Sequence, residues 1–178
     1  MTLAARGARV TAVEPNLAMR DSATSSANLT FVHGTAENTG LPDASVTLVT
    51  AFQAFHWFDH AAALQEISRI LIPGGRAALI YNERDDRDAF TAAYSKVAER
   101  FKIADMQPET SHGRPLFVAY AGWVRVSVGK FHNPHRLDRA GLIARASSVS
   151  YLPKDGIAGA ELVEQLNNIF EAPSVNMI

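Results

Sequence analysis

Short apolar runs alternate with segments of helical spacing through the first half of the chain. Residues 8–13 form a run that is apolar on both faces, the pattern of a parallel strand covered by helices. Before it, residues 1–6 are good helix formers and Gly7 is a C-cap candidate, so they read as the last turns of a helix. After Pro15, residues 16–26 predict a helix with Leu17 and Met19 near its start. Residues 29–33 predict a second strand, broken by Gly34. Residues 41–45, Leu-Pro-Asp-Ala-Ser, carry turn chemistry, and 46–52 is a third, β-branched apolar strand. Asp59 is a helix N-cap; beyond it Leu64, Ile67 and Leu71 recur at helical spacing with Ile70 alongside. Pro73-Gly74-Gly75 stops that helix, and 76–81 is a fourth strand. Alternating strands and helices, with crossovers long enough for parallel pairing, predict an α/β domain with an open, mostly parallel, Rossmann-like sheet.

After Glu83 the pattern changes. Residues 84–88 are a charged loop, and 89–104 a helix with Phe90, Tyr94, Val97 and Phe101 on one side. Residues 105–116 are rich in turn formers. Residues 123–131 alternate and predict a strand; 137–146 and 160–170 predict helices; the tail from 172, with Pro173, has room only to begin a strand. There is no repeat, no low-complexity tract and no clear linker, so one domain spanning 1–178 is the expectation.

Composition changes this picture little. The chain has 178 residues, 47% hydrophobic and 20% charged, with a net charge of −1. That balance supplies no general attraction to nucleic acid or to anionic membrane. No apolar run approaches the length of a membrane span, and no signal-peptide core follows Arg6 and Arg9; a cytoplasmic enzyme or binding protein is the default expectation. The absence of cysteine excludes disulfides, thiolate metal sites and a Cys nucleophile.

Three clusters fall where a parallel sheet presents ligands, beyond the C-terminal ends of its strands. Glu14 ends the first strand; a carboxylate there accepts two hydrogen bonds in a fork that suits the vicinal hydroxyls of a ribose, while the alternative is a solvated side chain. Gly34-Thr35-Ala36-Glu37 follows the second strand, placing Glu37 or nearby backbone to read an adenine edge; a simple turn is the alternative. Residues 51–59, Ala-Phe-Gln-Ala-Phe-His-Trp-Phe-Asp, follow the third strand with aromatic walls for a flat or apolar ligand; helix packing is as good a reading for Phe52 and Phe58. His56 and His60 share the i, i+4 spacing of helical metal ligands, but Trp57 stands where a zinc protease needs Glu and there is no evident third ligand, so no metal is expected. His132 and His135 read as loop residues. No G-x-S-x-G, G-x-x-x-x-G-K or G-x-G-x-x-G occurs, which leaves hydrolase and triphosphatase readings without support.

In order and spacing, several segments resemble a class I S-adenosylmethionine-dependent methyltransferase of the type 11 methyltransferase domain. They are Val10-Thr11-Ala12-Val13-Glu14-Pro15-Asn16, Gly34-Thr35-Ala36-Glu37, Leu41-Pro42-Asp43-Ala44-Ser45, Ala54-Phe55-His56-Trp57-Phe58-Asp59 and Arg69-Ile70-Leu71-Ile72-Pro73-Gly74-Gly75. The resemblance makes residues 1–83 a cofactor-binding core and 84–178 a substrate-side region of helices with one strand. It implies that Glu14 binds the ribose of S-adenosylmethionine and that Pro15, Asn16 and Met19 line the adenine side. It implies further that Ala36 and Glu37 meet the adenine ring, that Phe52, Gln53 and Ala54 lie under the methionine portion, and that His56 and Trp57 face a small-molecule acceptor. His56 is then the candidate general base, being titratable near neutral pH.

The chain departs from that family in three places. The first strand and its acidic-Gly-x-Gly turn are absent, Thr47 stands where the family carries Asp, and the last strand is reduced to the tail. In the family the absent strand lies between those at 8–13 and 46–52, so its loss is expected to leave two unpaired edges or to force those strands together. The expectation is a methyltransferase that is N-terminally truncated and incomplete as this chain. The alternatives are a fragment of a nicotinamide-dependent Rossmann oxidoreductase, which shares the acidic residue after the second strand, and an inactive remnant.

Overall fold

The computed structural model describes residues 3–24, 26–103 and 113–171. They form an α/β fold of parallel strands flanked by helices, divided into two compact units: residues 1–81 with 111–127, and residues 82–110 with 128–178.

In the first unit, strand β1 (Val10–Val13) pairs in parallel with β2 (Leu29–Val32), Val10 opposite Leu29 and Val13 opposite Val32. Strand β3 (Val46–Phe52) pairs in parallel with β4 (Leu71–Ile80). The expected open sheet is thus hydrogen-bonded as two parallel pairs, and among the described residues no ladder joins β1 to β3. Of the two outcomes expected for these strands, the structure adopts the unpaired edges, not direct pairing.

The connecting helices are set by their caps. Asn16 accepts from the Met19 amide at 3.1 Å and starts α1 (Leu17–Ser22), while Arg20 turns back to donate to the carbonyls of Glu14 and Pro15. Helix α1 ends sooner than the spacing predicts, because Ala23 is extended and no residue of the helix is buried to hold further turns. Asp59 accepts from the Ala62 amide and starts α2 (His60–Ile70), which buries Ala63, Leu64, Ile67 and Ile70 along one face. Leu71, expected as the last helical position, is instead the first residue of β4. Pro73 biases Ile72 toward extended backbone, which carries the chain straight from helix into strand. The Pro73-Gly74-Gly75 turn is absorbed as an irregularity in β4: Val46 lies opposite Leu71, but Leu48 lies opposite Arg76, with Gly74 at φ +78°.

A short helix not expected from the sequence, α4 (Arg114–Ala119), follows Gly113, with Pro115 in its first turn. Its Phe117, with Tyr120 and Trp123, packs on the core of Ala51, Phe55 and Leu64. The strand expected over 123–131 does not form; among the described residues no strand pairs with the segment. Val124, Val128 and Phe131 are exposed. Alternation there sets side-chain direction without supplying a ladder.

The second unit is helical. Helix α3 (Ala89–Arg100) is capped by Asp88 and ends before the predicted 104. Helix α5 (Arg139–Ser147) is capped by Asp138, and α6 (Gly156–Glu171) starts ahead of the predicted 160. Tyr94, Val97 and Ala98 of α3, Leu142 and Ala146 of α5, and Leu162 and Leu166 of α6 make its core with Leu152. The tail from 172 lies outside the described residues. No helix among the described residues is long and apolar enough to cross a membrane.

Candidate functional site

The first unit collects the candidate residues at the C-terminal ends of its strands. Glu14 directly follows β1, and its amide donates to the Val32 carbonyl, extending the β1–β2 ladder by one bond. One carboxylate oxygen, Oε1, accepts from the Asn16 amide at 2.9 Å; the other makes no hydrogen bond among the described residues. The carboxylate is therefore oriented by the turn it starts. Pro15 and Asn16 are exposed in this turn, and Met19, on the first turn of α1, is 59% exposed.

The loop leaving β2 lies against the end of β1. Gly34 is buried, and a Cβ there would stand 2.9 Å from Val13 Cγ1 and 2.9 Å from the Thr39 carbonyl oxygen. Only glycine allows the loop to come this close to β1. Ala36 and Glu37 are half-buried beyond it. A cavity of about 270 Å³ is lined by His33, Gly34, Thr35, Asn38 and Gly40. Glu37 Oε1 accepts from the Asp59 amide at 2.9 Å, at the start of α2. That bond ties the exit of β2, in one sheet, to the segment that follows β3, in the other.

After β3 the chain turns sharply. Gln53 adopts φ +52°, an uncommon conformation for a residue other than glycine, and its amide donates to the Ile80 carbonyl. The turn leaves Phe52 58% exposed and drives Phe55 fully into the core, where it meets Phe58 and Phe117 edge-on. Packing therefore claims Phe55 and Phe58 but not Phe52. A single helical turn, Phe55–Trp57, then presents His56 half-buried and Trp57 73% exposed. The His56 ring lies 4.7 Å from that of Trp57 and 6.1 Å from that of Tyr81.

Tyr81 is a site residue that the sequence pattern did not single out. It immediately follows β4, and burial pushes its hydroxyl pKa up, opposed by hydrogen bonding from the His56 and Phe55 backbones. The signal that finds it is the one used for Glu14: the first residue beyond a parallel strand's C-terminal end. His60 points elsewhere, stacked on Phe55 at 4.8 Å. No group of three or more metal-ligating side chains occurs among the described residues. The structure thus places Glu14, Ala36–Glu37, Phe52–Ala54 and His56–Trp57 on successive strand exits, and adds Tyr81.

Comparison with known proteins finds methyltransferases. A methyltransferase domain model matches residues 1–79. An uncharacterized methyltransferase of Mycobacterium tuberculosis is 44% identical over 86 residues, covering 48% of this chain and 35% of the relative. An uncharacterized methyltransferase of Schizosaccharomyces pombe is 43% identical over 67 residues, covering 38% of this chain and 27% of the relative. The chain spans about a third of the length of the curated relatives it matches. A solved structure from Anaeromyxobacter dehalogenans, described as a type II methyltransferase, superposes with a TM-score of 0.60 at 22% identity. It covers 93% of this chain and 73% of that one, a likeness of fold.

Proposed function

We propose that the chain is a class I S-adenosylmethionine-dependent methyltransferase and takes part in methyl transfer to a small-molecule acceptor, a reading supported by the methyltransferase domain model that matches residues 1–79. The observation that carries the proposal is the bond from the Asp59 amide to Glu37, which draws the exits of the two sheets toward one place. The residues present fit the ribose and adenine portions of the cofactor: Glu14 has one carboxylate oxygen to offer a ribose hydroxyl, and Gly34 permits a close-packed loop at the base.

In this reading Glu14 holds the ribose, Pro15, Asn16 and Met19 flank the adenine, and Ala36 and Glu37 face its edge. Phe52, Gln53 and Ala54 form the floor under the methionine portion. When bound, S-adenosylmethionine supplies an activated methyl group on a sulfonium, so the protein's work is chiefly alignment. Trp57 offers an exposed aromatic face to the acceptor, and His56 takes the proton that an acidic acceptor loses as its bond to the methyl carbon forms. Tyr81, hydrogen-bonded to the backbone that carries His56, holds that turn in place.

Calorimetry with S-adenosylhomocysteine, titrated to millimolar concentration, tests the cofactor assignment. The expected result is saturable binding that Glu14→Ala weakens roughly ten- to a hundredfold, the worth of hydrogen bonds to a charged group. Absence of saturable heat, or equal affinity in the variant, overturns the assignment. For the base, His56→Ala is expected to slow methyl transfer and flatten its pH profile. An unchanged rate between about pH 6 and 9 removes His56 from that role.

A further inference from the structure

Helix α2 carries a glutamate on its buried side. Glu66 is 7% exposed, yet it is ionisable and sits among Leu64, Ile67 and Ile70, where a charge is costly unless it is fully paired. It is fully paired. Glu66 Oε1 accepts from the Thr39 amide at 2.8 Å and from the Thr39 hydroxyl at 2.6 Å, and Oε2 accepts from Arg69 Nε at 2.7 Å. Arg69, one helical turn on, also donates to the Leu41 carbonyl at 2.8 Å and pairs with Asp43. The Thr39 hydroxyl in turn accepts from the Leu41 amide. Every partner outside α2 lies between Thr39 and Asp43, on the loop that begins at Gly34.

The same loop is held at its other end, where Glu37 accepts from the Asp59 amide. The segment assigned to the adenine base, Ala36–Glu37, contains the first of these anchors, at Glu37, and lies just before the second, at Thr39. No ladder fixes its position: Thr35 and Asn38 bond to each other across it to close a local turn, Ala44 and Ser45 donate to the Arg69 and Ile70 carbonyls, and the side-chain bonds to α2 join that turn to the helix. The ion pair also keeps Glu66 charged, with its carboxyl held down at about 2, chiefly by Arg69.

We infer that Glu66 and Arg69 are positioning residues for nucleobase recognition: by clamping Thr39–Asp43 to α2, they set where Ala36 and Glu37 stand and so which purine the site accepts. The inference rests on the cofactor reading above. An adenine offers an amino donor to an acceptor such as the Glu37 carboxylate, whereas hypoxanthine offers a carbonyl that the same carboxylate repels. A loop held in one place discriminates between them; a loosened loop does not.

The test compares the 178-residue chain with Glu66→Gln and with Thr39→Val, a near-isosteric change that removes only the hydroxyl. Affinities for S-adenosylhomocysteine and S-inosylhomocysteine are measured by calorimetry, and amide hydrogen exchange is followed without ligand. The parent is expected to prefer the adenine ligand by at least roughly tenfold. Glu66→Gln is expected to reduce that preference severalfold and to speed exchange at Thr39 and Leu41 by roughly tenfold or more, leaving the amides of β4 unchanged. Thr39→Val is expected to shift both in the same direction by less. Faster exchange with unaltered base preference overturns the positioning role and leaves a structural clamp; unaltered exchange overturns the clamp itself. If the parent binds neither nucleoside, the cofactor reading and base positioning fail together, while exchange still decides the clamp.

Discussion

Replacing Gly34 by alanine tests the packing of the candidate site most directly. Gly34 does not have the positive φ of Gly40 or Gly74, so alanine is conformationally allowed there, and the reduced freedom of the unfolded chain favours it by about 0.4–1 kcal/mol. The obstacle is space. The new Cβ would lie 2.9 Å from the Thr39 carbonyl oxygen, 2.9 Å from Val13 Cγ1 and 3.0 Å from the Asn38 carbonyl oxygen. Two of the three obstacles are backbone atoms, and Thr39 is pinned to Glu66 by two hydrogen bonds. Relief therefore requires moving β1 away from the loop or breaking that anchor. Overpacking of this kind costs about 1–3 kcal/mol, so Gly34→Ala is expected to destabilise the fold by a net ~1–2 kcal/mol. Urea denaturation measures it, read as a lower midpoint at constant slope. Val13→Ala removes one obstacle, so the double variant is expected to be more stable than the sum of the single changes by at least about 0.5 kcal/mol. A single variant within about 0.5 kcal/mol of the parent, or strict additivity in the cycle, would refute the argument from close approach.

Two further predictions follow from contacts around α2. Glu66 has its folded-state pKa depressed to about 2 from an ordinary 4.5, so its contribution to stability is fully present above the unfolded value and is lost as pH falls through the window between them. Denaturation midpoints should drop from about pH 5 to about pH 2, and Glu66→Gln should flatten that limb; parallel acid limbs in the two proteins would exclude Glu66 as the cause. Gly113 has φ +68°, and a Cβ there would come within 2.5 Å of His60 Nε2 and 2.9 Å of the Phe55 ring. Gly113→Ala is expected to cost about 2–3 kcal/mol, because backbone strain adds to a clash with a fully buried ring. Thermal unfolding at an unchanged midpoint would contradict the packing of α4 on that core.

The segments that define the candidate site were legible because each is a local event at a strand's end. Glu14 after an apolar strand, Gly34 breaking the next and the aromatic run after Phe52 declare themselves by residue type and position. Asp59 acts within three residues and is legible as an N-cap for the same reason, whereas the capping by Asp88 and Asp138 emerged only with the structure. Tyr81 escaped because the sequence pattern runs the fourth strand through it; the structure ends β4 at Ile80 and leaves Tyr81 as the first residue beyond the strand, beside the His56 turn. Residues 123–131 misled because alternation records which side chains share a face and says nothing of whether a neighbouring strand is available to pair.

By itself, then, the sequence determined the α/β class, the order of β1 to β4, the starts of α1 and α2 and the likeness to a methyltransferase domain over residues 1–79, since periodicity, capping and motif spacing are properties of short chain segments. Only the tertiary structure decided which strands pair, that β1–β2 and β3–β4 stand as separate ladders, and that a buried Glu66 spends its charge on Thr39 and Arg69. The physical reason is distance along the chain. Glu66 and Thr39 lie 27 residues apart, and β3 meets β4 across the whole of α2, so their partnerships depend on chain closure and burial that no local pattern encodes.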